Sequence, residues 1–212
     1  MNRSFTFNCF IVLIAGLGLG LSAPGIGIWI TAWFCLTPLL FIIGLERSLF
    51  KTFVYGFLFG LAYNCVYWQW LLNLAPLDWL GFSAKEGQLL AWAALLIVST
   101  HQAIIIGIFA LAYRLIFNSG ALAFAGRFSW FGILLHILLV PLGWILIVNK
   151  LGNAHCLLGV PWSMLEYSQY KNLWLIQIAD VIGGMGIAYL LVLVNTFQVE
   201  SGMKIIHPAM IG

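Results

Sequence analysis

Charge is scarce in this chain. Lys and Arg number 9 and Asp and Glu 6 in 212 residues, so 7% of positions are charged, against roughly 25% in a soluble domain. With 63% hydrophobic residues, a water-soluble fold of this length could not hide its apolar surface, and the chain reads as a membrane protein. The net charge of +3 is small and scattered, with no basic run and no aromatic–basic interleaving, which excludes a nucleic-acid surface. Cys9, Cys35, Cys65 and Cys156 stand far apart with no metal-ligand spacing. They read as small apolar fillers. Neither a metal nor a cofactor is expected.

Signatures of catalysis are also missing. There is no nucleophile elbow, no HExxH and no phosphate-binding glycine loop. His155 and Cys156 are adjacent, but neighbouring side chains diverge, so adjacency does not make an imidazole-activated thiolate. His101 and His136 fall inside apolar segments, where a polar group needs a partner, and they read as structural. Asp180 lies near the start of the last apolar segment. A site role and a headgroup-level structural role both remain open for it.

What the chain does have is apolar length. A membrane helix takes about 20 largely apolar residues. Six segments qualify: 5–22, 26–45, 53–74, 89–117, 130–148 and 173–197. The expectation is an all-α, polytopic transmembrane helix bundle of about six membrane helices. The amino-terminal stretch has signal-peptide features in Arg3, its apolar run and its small-residue end. Apolar sequence resumes at once from Trp29, so a first membrane helix is the simpler reading. With the amino terminus in the cytoplasm, Arg3, Arg47, Lys51, Arg114, Arg127 and Lys204 face inward, and Lys85, Lys150 and Lys171 outward. That bias is the positive-inside pattern. It puts "APLDWLGF" and "GVPWSMLEYSQY" on one outer face. Gly16 and Gly20, and likewise Gly56 and Gly60, stand four apart, a spacing that lets helix backbones approach in lipid.

The outer stretch 159–170 concentrates polar and aromatic chemistry. Trp162, Tyr167, Tyr170 and Trp174 have the character of interface anchors. Glu166, Ser168 and Gln169 add polar capacity beyond anchoring. Glu166 serves as a general base only if burial or neighbours raise its carboxyl.

"GVPWSMLEYSQY" followed by "LIQIADVIGGMGIAYLLVLVN" resembles the outer-face motif and sixth helix of bacterial apolipoprotein N-acyltransferases. The matching positions are Gly159, Pro161, Trp162, Tyr167, Ser168, Gln169, Gln177, Ile178, Ala179, Gly183 and Asn195. "LSAPGIGIWITAWFCLTPLL" resembles the family's first hairpin, with Pro24, Trp33 and Pro38. "YGFLFGLAYNCVYWQWLLNLAPLDWLG" resembles its third helix and outer loop, with Gly56, Gly60, Tyr67, Trp68, Pro76, Leu77, Trp79 and Gly81. The resemblance covers about residues 15–198. Departures are Ala75 where the family often has His, and Glu166 where it often has Gly. Val148 and Lys150 stand near positions where many members carry an acid and a base.

The resemblance implies a multi-pass protein of the bacterial inner membrane. It implies acyl transfer from a phospholipid, through a cysteine thioester, to the α-amine of a lipoprotein's amino-terminal cysteine. The family's catalytic glutamate, lysine and cysteine lie in a nitrilase-like domain outside the membrane. Residues 1–198 read as the membrane domain and 199–212 as a short tail that begins no such domain. No catalytic residue is therefore carried over, and Cys156 is not the nucleophile. The expectation is the membrane part of an acyltransferase, inactive alone. Phospholipid and lipoprotein amino terminus would be its partners in the full enzyme. The alternative is a structural or partner-binding membrane protein that pairs with a separate nitrilase-like chain. A small transporter would show a repeat of broken helices, and none is legible. The residues expected at a lipid-access site are Pro76, Trp79, Pro161, Trp162, Glu166, Tyr167 and Gln169.

Overall fold

The computed structural model describes residues 3–118, 130–152, 159 and 162–206. Among them every regular element is helical. Helix α1 spans Arg3–Gly20, α2 Thr37–Leu45, α3 Leu49–Tyr67, α4 Ala84–Asn118, α5 Trp130–Trp144, α6 Leu173–Ile176 and α7 Ala179–Ile206. Four stretches are long and apolar enough to cross a membrane: Leu49–Leu74, Ala84–Ile116, Trp130–Leu151 and Ala179–Met203. Two shorter apolar stretches, Ser4–Gly20 and Trp29–Leu45, join them. The protein is a polytopic α-helical membrane bundle.

Helix α3 is the middle of a three-helix sandwich, and glycines set its spacing. A Cβ on Gly16 of α1 would strike the Phe59 carbonyl oxygen, and one on Gly20 would come within 2.5 Å of Val66 Cβ. On the other side, a Cβ on Gly56 would lie 2.7 Å from Ala110 Cβ, and one on Gly60 2.9 Å from Ala103 Cα. Lipid tails are as apolar as the helices, so close backbone approach supplies much of the association energy. The spacing-four glycines are packing devices, and α1 is an integral member of the bundle.

Helix α4 is longer than the apolar pattern implies. Its start is fixed by a capping box. The Ser83 hydroxyl accepts from Glu86 N at 3.4 Å, and the Glu86 carboxylate accepts from Ser83 N at 2.8 Å. At 1.5 Å per residue its 35 residues extend about 50 Å, beyond the ~30 Å hydrocarbon core. That excess is more than tilt alone absorbs, so the helix overruns the hydrocarbon.

Two segments expected as continuous helices are broken. In 26–45 a 3₁₀ turn at Trp29–Trp33 precedes α2. Pro38 sits in the first turn of α2, where its missing N–H is tolerated. The irregular backbone between the two is satisfied by α7. Asn195 Oδ1 accepts from Leu36 N at 3.1 Å and Thr37 N at 2.9 Å. Asn195 Nδ2 donates to the Ala32 carbonyl at 3.0 Å, and Gln198 Nε2 to the Trp33 carbonyl at 3.0 Å. Unwound backbone is tolerated at membrane depth only when buried in protein and paired in this way. In 173–197, the short α6 gives way to α7, and Gly183 inside α7 has φ 70° and ψ 170°. That conformation suits glycine and strains other residues.

Helix α5 runs on into a π-helical segment, Ile145–Leu151. Pro141 lies inside α5. The Tyr189 hydroxyl of α7 donates to the nearby Leu138 carbonyl at 3.1 Å. His136 of α5 joins three helices: its Nε2 is 2.7 Å from the Tyr113 hydroxyl, and its Nδ1 2.5 Å from the Glu200 carboxylate. His136 is thus a buried structural histidine with partners on α4 and α7. Asp180 is exposed in the first turn of α7.

Candidate functional site

The stretch 162–171 closes one end of the bundle, and side chains fasten it on three sides. The Tyr63 hydroxyl of α3 donates to the Ser163 carbonyl at 3.1 Å. The Tyr170 hydroxyl donates to the Pro24 carbonyl at 2.5 Å, tying the segment to the turn after α1. Gln169 Nε2 donates to the Trp29 carbonyl at 3.1 Å, while its Oε1 accepts from Trp33 Nε1 at 3.2 Å. Gln169 is completely buried. Its amide braces the segment against the 3₁₀ turn Trp29–Trp33.

Glu166 opens the 3₁₀ turn Leu165–Gln169 and is 7% exposed. Asn149, in the π segment after α5, donates to both carboxylate oxygens at 3.3 and 3.2 Å. Gly184 makes room on the other side: a Cβ there would lie 3.4 Å from Glu166 Cγ. Burial raises the Glu166 carboxyl above its ordinary value, opposed by hydrogen bonds from its own backbone and from Asn149. The acid is therefore held where desolvation favours the neutral form.

Above this layer lies a cavity of about 510 Å³ lined by Pro24, Gly25, Tyr67, Trp70, Trp162 and Tyr167. Its walls come from the turn after α1, the end of α3 with the following 3₁₀ turn, and the closing segment. Trp162 sits 6.0 Å from both Trp68 and Trp70, centroid to centroid, with interplanar angles of 39° and 48°. Trp68 is buried behind, and its packing fixes the other two rings. Trp162 remains 55% exposed. Among the described residues no charged side chain lines the cavity.

The expected site residues divide accordingly. Trp162 and Tyr167 line the cavity, and Glu166 and Gln169 are buried residues of the same segment that do not line it. Pro76 and Trp79 are not among its lining residues; both are exposed, Trp79 by 75%, around the 3₁₀ turn Asp78–Leu80. Pro161, His155 and Cys156 lie outside the described residues. Tyr67, Trp70, Pro24 and Gly25 complete the cavity without having been expected there. The signal for two of them was "YWQW", an aromatic run at the end of a helix on the same expected face. Cys9, Cys35 and Cys65 are free and partly buried.

The span from Gly16 to Asn195, which carries both the glycine packing and the amide that repairs the second segment, is also the span that matches known proteins. Residues 15–197 match the apolipoprotein N-acyltransferase N-terminal domain. The apolipoprotein N-acyltransferase of Gloeobacter violaceus is 31% identical over 187 residues, covering 88% of this chain and 33% of its own length. That of Geobacter metallireducens is 30% identical over 205 residues, covering 94% of this chain and 34% of its own. The chain thus spans about a third of the length of these relatives. By a match that runs through nearly all of its described helices, the chain belongs to the apolipoprotein N-acyltransferase N-terminal domain family.

Proposed function

We propose that this chain is the lipid-handling membrane part of an apolipoprotein N-acyltransferase of the bacterial inner membrane. The bundle accommodates acyl chains from the side, and the aromatic cavity receives the headgroup of the phospholipid donor. The covalent steps belong to the part of the relatives' length that this chain does not span. There a thiolate takes the acyl group and passes it to the lipoprotein's α-amine. That part is supplied either in one polypeptide or by a separate nitrilase-like chain. The observation that carries this reading is the cavity itself. It is a wide aromatic recess at a helix-bundle end, floored by a segment fastened through Tyr63, Gln169 and Tyr170. Trp and Tyr suit headgroup depth because their rings are apolar with one polar edge.

The topology that fits is six crossings with the amino terminus in the cytoplasm. The basic residues motivate it, and it places the cavity on the outer face. Pro76 and Trp79 then stand at the same membrane level, as a rim beside the cavity rather than a wall. A cysteine placed at residue 82 or 167, in a background lacking the native thiols, should react with a membrane-impermeant maleimide from the outer side. Reaction from the cytoplasmic side alone would refute the topology. For the function, residues 15–197 should be exchanged into the Gloeobacter relative and acyl transfer measured. Transfer should persist, fall with Trp162→Leu, and do so without loss of thermal stability. Unchanged transfer in Trp162→Leu would leave the cavity as an interface anchor only.

A further inference from the structure

Three polar atoms are sealed into the seam between α3 and α4, near the carboxyl-terminal end of α3. Asn64 and Ser99 are completely buried, and Trp68 is 1% exposed. Among the described residues, Asn64 Oδ1, Ser99 Oγ and Trp68 Nε1 have no hydrogen-bond partner. Buried polar side chains are nearly always paired, with protein or with ordered water. Inside a membrane bundle the alternative is an unsatisfied group in hydrocarbon.

The register of the two helices brings these atoms to one place. A Cβ on Gly56 would meet Gly107 Cα at 3.0 Å, and one on Gly60 would meet Ala103 Cα at 2.9 Å. Each step of four along α3 thus matches a step of four back along α4. The next step sets Asn64 opposite Ser99. Trp68 follows one turn later on the same face of α3. The Asn64 amide is oriented, because its Nδ2 donates to the Gly60 carbonyl of its own helix at 2.8 Å. Its Oδ1 is the end that remains for a bridge across the seam. At Gly60 the backbones touch; one turn later a serine, small and polar, faces the amide.

The chemistry of the three atoms selects the occupant. Asn64 Oδ1 only accepts, Trp68 Nε1 only donates, and Ser99 Oγ does either. A cation would be repelled by the indole N–H, and an anion by the amide oxygen. A closed helix interface admits only a very small molecule. Water both donates and accepts, and a buried water makes about three hydrogen bonds.

We propose that a water molecule is bound between α3 and α4, donating to Asn64 Oδ1 and Ser99 Oγ and accepting from Trp68 Nε1. Trp68 lies 5.9 Å from Trp70 and 6.0 Å from Trp162, centroid to centroid. The water therefore ties the glycine seam to the ring on which the aromatic end of the bundle rests.

The test is NMR of the chain in detergent micelles, with the tryptophan indole nitrogens labelled. The Trp68 signal is identified by its loss in Trp68→Phe. Its indole proton should show a cross-peak to a water molecule held for longer than the micelle takes to tumble. Ser99→Ala, which removes a single oxygen, should weaken that cross-peak and move the indole proton upfield. Asn64→Leu combined with Ser99→Ala should abolish it. The double variant should also melt above the value that the two single losses predict, because partners removed together leave fewer orphans. No water cross-peak at Trp68 in the parent would overturn the proposal. A cross-peak that survives both substitutions would place the water elsewhere and overturn it equally. Coupled melting losses without a cross-peak would mean that Ser99 donates directly to Asn64, and the water would fall. Should Asn64→Leu fail to fold, the parent spectrum and Ser99→Ala decide the question alone.

Discussion

Two seams hold this bundle, and they are built from opposite materials. Along α1, α3 and α4 the contacts depend on side chains that are missing: Gly16, Gly20, Gly56 and Gly60 let backbones meet. Around residues 29–37 the contacts depend on amides. Gln169, Asn195 and Gln198 supply the hydrogen bonds that the irregular backbone cannot make within itself. The first seam is continuous helix against continuous helix, where every backbone group is already paired. The second contains unwound backbone, and in an apolar surrounding each unpaired group costs several kcal/mol. Glycine suffices where the helix is whole, and an amide is required where it is broken. The broken segment forms the bundle end that carries the aromatic cavity, so the site rests on the amide seam.

The sharpest way to break this contrast is Asn195→Leu. It orphans the Leu36 N–H and the Ala32 carbonyl, and leaves Thr37 N–H with the Phe34 carbonyl alone. Buried orphans cost about 1–3 kcal/mol each, so a loss of about 2 kcal/mol or more is expected. Thermal unfolding in detergent should show it, with Asn195→Leu falling well below the parent. A loss under about 1 kcal/mol would mean that the segment finds other partners.

Gly60→Leu attacks the other seam. Its Cβ would press on Ala103 Cα, a backbone atom that cannot swing away, and overpacking of this kind costs about 1–3 kcal/mol. Gly202→Leu is the control, because nothing lies within 4 Å of a Cβ there. Equal melting temperatures for the two variants would remove the case for glycine packing.

Gln169→Ala should act on the site more than on the bundle. It removes the bonds to the Trp29 carbonyl and the Trp33 indole, for a loss of about 1–2 kcal/mol. Hydrogen exchange should accelerate in 162–171 and stay slow in α3 and α4. Uniform acceleration would show that the segment is not a separable unit.

These contrasts were unequally legible in the chain. The glycine pairs announce themselves, because spacing four is local and has one meaning in a membrane helix. The capping box at Ser83 and Glu86 is equally local. The break in the second segment is not, since Trp, Ile, Ala and Phe read alike in a helix or in a 3₁₀ turn. Its cause is Asn195, 159 residues from Leu36 along the chain. Trp162 and Tyr167 were legible because polar and aromatic residues crowd there. Tyr67 and Trp70 join the same cavity through tertiary contact; the run "YWQW" marks an aromatic helix end but not which rings face the cavity. For Gln169 the polar capacity is readable from its type, but its complete burial and its bonds to Trp29 and Trp33 are not.

The smallest effect, and the one that joins the seam to the site, concerns Glu166. Burial raises its carboxyl in the folded protein, whereas in the unfolded chain it takes an ordinary value. Between those two values the folded state binds more protons than the unfolded state, so stability falls as pH rises through the window. The contribution is most favourable below the ordinary carboxylate value, where both states are protonated. It reaches its full cost above the raised folded value. Glu166→Gln keeps the size and leaves an amide oxygen for Asn149, so it should match the parent at acid pH and exceed it at neutral pH. Unfolding midpoints measured from pH 4 to pH 8, a range that brackets about 4.3 for a free glutamate, should diverge with rising pH. Midpoints that stay parallel would mean that Asn149 and the local backbone compensate the buried charge fully.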